Sequence, residues 1–287
     1  MLPLSGKLKL SVGIATRNEE ENIERCLQSV KNIADEIIIF DEYSTDKTVE
    51  IAKKYGANVF LEPHHDIFHI TKQKTIEKSK GEWILQLDAD EVVSKELGEE
   101  ILKLVNGGKI NDVTNPLFIR HQKIVQERDG KIGTNNGEVT AFFIPRRNMF
   151  LGKPLIHGGV YPDAVIRLFK NKKANWPCVS VHEQMKIEGR VGWLNSDLLH
   201  YDSPTLKRYL MRLNRYTDLQ AEELKADKTS KNLLSFLKFT LLLPIYYFLL
   251  RYVRHKGFLD GVNGFLWAFF SATHFPIAYF KYLTNEI

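Results

Sequence analysis

The 287-residue sequence has only two cysteines, Cys26 and Cys178. Two thiols supply no disulfide framework, and a reducing compartment is the simpler setting. No segment recurs at a fixed period, which excludes a solenoid or a propeller. The opening Met1-Leu-Pro-Leu-Ser-Gly-Lys7 lacks a basic start, an apolar run and a small-residue cleavage site, so the N-terminal region is expected to stay in the cytoplasm. Residues 1–204 also lack an excess of either charge, with 28 basic and 29 acidic side chains. Hydrophobic residues make up 44% and charged residues 26%, a mixture that excludes a collagenous, low-complexity or disordered chain. The length is ample for a core that needs no staples.

What is present is unevenly distributed. Residues 205–287 hold 12 basic and 6 acidic side chains, together with 17 of the 32 Phe, Tyr and Trp residues. Within them, 205–232 reads as an amphipathic helix, with Leu206, Tyr209, Leu210, Leu213 and Leu224 on one side and Lys207, Arg208, Arg212 and Arg215 elsewhere. Leu233–Leu250 contains Lys238 as its only charge, and Gly261–Phe280 contains none, although Pro244, Asn263, His274 and Pro276 interrupt the two runs. About 20 apolar residues would span a bilayer. An internal core, one or two spans, and helices lying in the membrane interface are the three readings. Polar interruptions are awkward in lipid, while Arg251, Arg254 and Lys256 among aromatics suit the headgroup region. The reading is a peripheral or monotopic association with the cytoplasmic face of the plasma membrane, the C-terminal helices being the surface for any oligomer. Nucleic acid is a poor partner for a basic tail with such long apolar runs.

In the first 204 residues, apolar alternation over Leu8–Ile14 predicts a strand, and Ile23, Cys26, Leu27 and Val30 predict the helix that follows. Ile37–Phe40, Ala57–Leu61 and Trp83–Leu87 predict further strands; a helix through Val49, Ala52 and Tyr55, and helices over Ile70–Ser79 and Ser94–Val105, separate or follow them. Beyond these, strands are expected at Leu117–His121, Val139–Ile144, Val165–Phe169 and Val179–His182. The fold class is α/β, a mixed and mainly parallel sheet with helices on both faces. Domains are expected at 1–204, catalytic, and 205–287, membrane-associating. Loops after the first, second and fourth strands place Thr16–Glu19, Asp41–Asp46 and Asp88–Glu91 on one rim of the sheet.

Asp88-Ala-Asp90 at the end of a buried strand is the sharpest chemical signal, because two carboxylates one residue apart can hold a divalent cation that also binds phosphates. Around it, Ser11–Ile23, Ile37–Thr48, Lys72-Gln-Lys74 and Gly81–Glu91 resemble the nucleotide-binding half of family 2 glycosyltransferases. Ile156-His-Gly-Gly-Val-Tyr-Pro-Asp163, Ile166-Arg-Leu-Phe169, Val181-His-Glu183 and Gly257-Phe-Leu-Asp-Gly261 are similar to the bacterial branch containing lipopolysaccharide core glucosyltransferases. The resemblance implies the glycosyltransferase A-type fold and transfer of a sugar, with inversion, from a nucleotide sugar to a lipid-linked or lipopolysaccharide-type glycan, a UDP-sugar being the favoured donor. It implies that Thr16, Arg17, Asn18 and Glu19 line base and ribose, that Asp41 accepts from the base, and that Lys72, Gln73 and Lys74 meet the phosphates. Asp88, Ala89 and Asp90 form the metal loop. Asp90, with Asp88 and with His182 as a further ligand, holds Mg²⁺ or Mn²⁺.

An acceptor hydroxyl needs its proton removed as it attacks. Asp163 matches the family position for that base, Glu183 is its rival, and Arg167 is expected to orient Asp163 or contact phosphate. Arg146 and Arg147 are candidates to meet an acidic acceptor, and His157 and His200 to flank it. Tyr43 departs from the small residue usual in relatives and puts the donor's identity in question. Two other readings use the same residues: a non-catalytic membrane-bound scaffold on this fold, and a haloacid-dehalogenase-like phosphatase, whose nucleophile motif Asp88-Ala-Asp-Glu-Val92 also fits. The phosphatase would need a downstream Gly-Asp or Asp-Asp pair, and neither occurs.

Overall fold

A computed structural model describes residues 8–109, 115–180 and 183–284. The chain divides into two compact units, one holding residues up to 146 together with 162–200, the other holding 147–161 with 201–287.

The first unit is built on β1 (Leu10–Thr16), every residue of which is buried. Leu10, Val12 and Ile14 enter the main core with Ile23, Cys26, Leu27 and Val30 of α1 (Ile23–Val30). On the opposite face, Gly13 lets α3 (His69–Lys78) approach so closely that a Cβ there would lie 2.7 Å from Thr75 Oγ1. Helices therefore cover both faces, and a strand sandwiched in this way can be apolar at successive positions, as β2 (Glu36–Asp41) is at Ile37–Phe40. With α2 (Thr48–Lys54), β3 (Asn58–Leu61) and β4 (Trp83–Asp88), these elements give three parallel pairings, β4 with β1, β1 with β2 and β2 with β3. A short β5 (Glu91–Val93) follows, and Ser94 Oγ then caps α4 (Lys95–Val105) by accepting from Leu97 N at 3.2 Å.

Leu117–His121 is helical, not a strand. It lies in α5 (Pro116–Asp129), where Asn115 accepts from Leu117 N and Pro116 occupies the first turn. A short apolar run does not distinguish the two states, and the buried pair Phe118 and Val125 keeps helical spacing. The sheet is completed by β6 (Val139–Ile144) and later strands. After β7 (Arg146–Phe150) and β8 (Lys153–Pro154) come β9 (Val165–Lys170), the small hairpin β10 (Ala174–Asn175) with β11 (Lys186–Ile187), and β12 (Arg190–Trp193). The order is β12-β6-β9-β4-β1-β2-β3, with β9 antiparallel to both neighbours. The expected strand at Val179–His182 is absent at Val179 and Ser180, whose N–H groups donate to Glu183 instead of to a neighbouring strand. Val181 and His182 lie outside the described residues. Finally β13 (Leu198–Ser203) pairs antiparallel with β5, setting His200 opposite Glu91.

In the second unit, α6 (Leu206–Ala226) is capped by Thr205 and followed by α7 (Leu233–Leu237), α8 (Leu243–Leu249) and α9 (Gly261–Thr284). The buried side of α6 carries Tyr209, Thr217, Ala221 and Leu224, while Leu206 and Leu210, expected on that side, are exposed. Ala221 and Leu224 join Phe239, Tyr279 and Tyr282 in one cluster, and Phe150, Leu155 and Tyr209 pack with Leu266, Trp267 and Phe270 in another. The continuous helical run Leu233–Arg254 is long and apolar enough to cross a membrane, judged by length and composition. Its Leu233, Leu241, Leu242, Ile245 and Val253 are exposed.

Candidate active site

The first two loops of the rim are tied to each other. Thr16 Oγ1 donates to Asp41 Oδ2 at 2.8 Å, and Ser44 donates to Asp41 through both its N–H and its hydroxyl. Asp41 is fully buried, so three of the roughly four acceptor positions of its carboxylate are occupied by the loops themselves. Asn18 donates its N–H to Ser44 Oγ and accepts from Thr45 N, and Glu19 N donates to Thr48 Oγ1. Asn18 sits at φ +54°, a conformation asparagine tolerates. Tyr43 also sits there, at φ +51°, with its side chain 59% exposed. A backbone at positive φ favours glycine or asparagine over a bulky side chain. Arg17 is solvent-exposed.

A chain of alternating charges runs from the third loop. Lys72 Nζ lies 2.6 Å from Asp88 Oδ1, and Arg167 is ion-paired with both Asp88 and the fully buried Glu91. Arg146 continues the chain, 3.4 Å from Glu91 and 2.7 Å from Asp163 Oδ2, and its Nε donates to the Asp163 carbonyl. Burial acts to raise the Asp88 pKa, but Arg167 and then Lys72 outweigh it and hold the carboxyl well below the usual range. Burial pulls Lys72 below the ordinary lysine value against the attraction of Asp88. Lys72 is positioned from beneath: Gln86 Nε2 donates to the Lys72 carbonyl and to Thr75 Oγ1, the residue that meets Gly13.

Three successive residues on a helix point about 100° apart, so Lys72, Gln73 and Lys74 cannot serve one ligand equally. Gln73 accepts from Trp176 N and donates to Glu77, while Lys74 is ion-paired with Glu62. Ala89 is buried. Asp90 approaches His200 Nε2 at 3.6 Å, whereas Asp88 pairs with Lys72 and Arg167. Burial works to lower the His200 pKa, yet Asp90 raises it overall. Glu183 accepts from the N–H groups of Cys178, Val179 and Ser180 and pairs with His69. Although its burial opposes this, these donors depress its pKa. Arg147 belongs to the second unit, and His182 is outside the described residues.

Sequence reasoning missed the centrality of Glu91 and the partners of the two arginines. Arg146 holds Asp163, whereas Arg167 holds Asp88 and Glu91. The signal was present in one respect, since Glu91 directly follows Asp90 at the end of an apolar strand.

Residues 11–172 match the family described as Glycosyl transferase family 2. Similar proteins include the glycosyltransferase RT0209 of Rickettsia typhi, 29% identical over 269 residues that cover 90% of this chain and 81% of the relative. Another is the lipopolysaccharide core biosynthesis glycosyltransferase LpsC of Rhizobium meliloti, 26% identical over 281 residues, covering 93% of this chain and 91% of that protein. Among solved structures, the chain is similar to the mannosyltransferase PcManGT from Pyrobaculum calidifontis in complex with GDP-Man and Mn²⁺, at 12% identity and a TM-score of 0.47, covering 99% of this chain and 89% of that one.

Proposed function

The chain belongs to glycosyl transferase family 2, and from that premise we propose that it transfers a sugar, with inversion, from a nucleotide sugar to a lipid-linked or lipopolysaccharide-type glycan at the cytoplasmic membrane face. The phosphatase reading falls with the family match, and β1, β2 and β3 precede the Asp88-Ala-Asp90 loop where that motif would open a domain. The scaffold reading gives way as well, because the chain is an enzyme by its family and by its glycosyltransferase relatives.

The observation that carries the proposal is the ionic chain linking Asp88 to Asp163. Asp90 presents a carboxylate oxygen, a donor that suits Mn²⁺ or Mg²⁺, and the His200 imidazole nitrogen lies beside it. When bound, such an ion neutralises charge growing on the departing nucleoside diphosphate. Asp88, already paired with Lys72 and Arg167, orients the loop carrying Asp90. Thr16, Asn18, Glu19 and Asp41 shape the nucleotide pocket, and a UDP-sugar is the favoured donor.

Asp163 takes the proton of the attacking hydroxyl, with Arg146 fixing its Oδ2. Its side chain is 38% exposed, so a hydroxyl can reach it. Glu183 is a poor rival, because its oxygens are spent on three backbone donors and its pKa is depressed. Asp163→Asn is expected to lower turnover by about 10²- to 10⁴-fold, with nucleotide-sugar binding retained. If Asp163→Asn turns over normally while Glu183→Gln is dead, the base assignment is wrong. The lipid-facing part of the proposal is supported by the exposed apolar run Leu233–Arg254, and the acceptor class by the similarity to LpsC, a lipopolysaccharide core biosynthesis glycosyltransferase.

A further inference from the structure

Two segments a hundred residues apart meet in the second unit. Asp260 Oδ2 accepts from Ile156 N at 3.1 Å and His157 N at 2.8 Å, and its Oδ1 lies 2.8 Å from His157 Nδ1. The Gly158 N–H donates to the His255 carbonyl, and Arg251 Nη1 donates to the Gly158 carbonyl. Gly158 and Gly159 have φ of +69° and +75°, and a Cβ on Gly159 would lie 3.3 Å from the His255 ring. The loop is thus clasped backbone to backbone, and the side chain of Asp260, 8% exposed, is consumed by the clasp.

Three cations remain unmatched beside it. Arg251, Arg254 and Lys256 have no carboxylate partner among the described residues. The Arg251 guanidinium carbon lies 5.8 Å from the centre of the Trp267 ring, and its Nε is buried without a hydrogen-bond partner. A largely enclosed guanidinium with no anion is costly unless a ligand brings one, and its planar fork matches phosphate oxygens. The His157 ring is held by its Nδ1, so its opposite nitrogen is turned away from Asp260, and the side chain is 35% exposed. The cluster also has an address. It begins where the exposed apolar run Leu233–Arg254 ends, and exposed Phe258, Leu259 and Val262 follow at once.

We propose that the His157-Gly158-Gly159 loop and the Arg251–Lys256 turn form a site for the terminal phosphate of a lipid headgroup. Apolar side chains flank it on both sides in sequence, which commits the occupant to a lipid and not to a free anion. Arg251 contacts the phosphate, Lys256 adds charge, and Asp260 is a positioning residue for His157. The inference rests on the reading of the tail as membrane-facing.

The test is flotation of the full chain with phosphatidylcholine vesicles carrying either phosphatidic acid or phosphatidylserine at matched surface charge. The expected result is at least a fivefold preference for phosphatidic acid, unaffected by 10 mM inorganic phosphate. Arg251→Gln should abolish the preference while leaving binding to phosphatidylserine vesicles, and Arg251→Lys, which keeps the charge but not the fork, should reduce it. Lys238→Gln should weaken both kinds of binding alike. Equal binding to the two lipids by the wild type, or a preference that survives Arg251→Gln, overturns the phosphate site but leaves the membrane reading standing. Loss of binding in inorganic phosphate overturns the lipid as source, and failure to bind any vesicle overturns both readings.

Discussion

Asp88 and Asp90 stand one residue apart and do different work. Asp88 is committed to Lys72 and Arg167, whereas Asp90 meets His200. The division follows from the strand period, which turns alternate side chains to the same face only while the strand lasts; β4 ends at Asp88. Because its folded pKa is depressed, Asp88 contributes stability that is complete above the ordinary carboxylate value near 4 and is lost as pH falls through that value toward the folded one. Asp88→Asn should therefore cost about 3 kcal/mol at pH 7, where it leaves the buried Lys72 without its carboxylate and Arg167 with Glu91 alone. The gap between variant and wild type should narrow at pH 3, as urea denaturation at the two pH values would show; a constant gap would contradict the pairing. Arg146→Met should lower kcat more than it raises the donor KM, since Arg146 holds Asp163 at 2.7 Å and reaches the third loop only through Glu91 at 3.4 Å. A raised donor KM with normal kcat would remove Arg146 from its positioning role.

At the scale of elements, the register of α3 on β1 decides where Lys72 stands. Gly13 permits the approach, Thr75 fills it, and Gln86 bonds both Thr75 and the Lys72 carbonyl. Gly13→Ala would force Thr75 from a position held by two hydrogen bonds. It should cost about 1–3 kcal/mol and lower activity more than Ala at a neutral surface position. Thermal melts with parallel assays would check this, and an unaltered melting temperature would count against the packing argument. The parallel strands β2 and β4 were legible in the sequence because burial on both faces leaves apolar runs, and β1 was legible from the alternation of its apolar residues. α5 was not, because Leu117–His121 is too short to show its period, and β5, β12 and β13 are short or polar. Arg146 with Asp163, and Arg167 with Glu91, were also hidden: ion pairs across 17 and 76 residues leave no periodic trace.

For the whole molecule, the excess positive charge and the aromatics concentrate in the tail, and Leu233–Arg254 leaves many of its apolar side chains exposed, although Phe239 is buried. Cutting the chain at 204 would be a poor test of membrane contact, because Phe150 and Leu155 pack against Tyr209, Trp267 and Phe270 and would lose that cover. Leu241→Glu with Ile245→Glu, both at exposed positions, is the cleaner variant. Each lost apolar side chain removes up to about 1.5–3 kcal/mol of transfer energy, so vesicle affinity should fall tenfold or more with the melting temperature unchanged. Undiminished vesicle binding would mean that this face looks elsewhere.

The central claim, a nucleotide sugar held through a divalent ion at Asp90, is tested most directly by thermal shift of the wild type and Asp90→Asn with UDP-sugars, in Mn²⁺ and in a chelator. The account predicts a rise in melting temperature for the wild type only when sugar nucleotide and Mn²⁺ are both present, and no such rise for a folded Asp90→Asn. A rise of equal size in the chelator, or in Asp90→Asn, would contradict it.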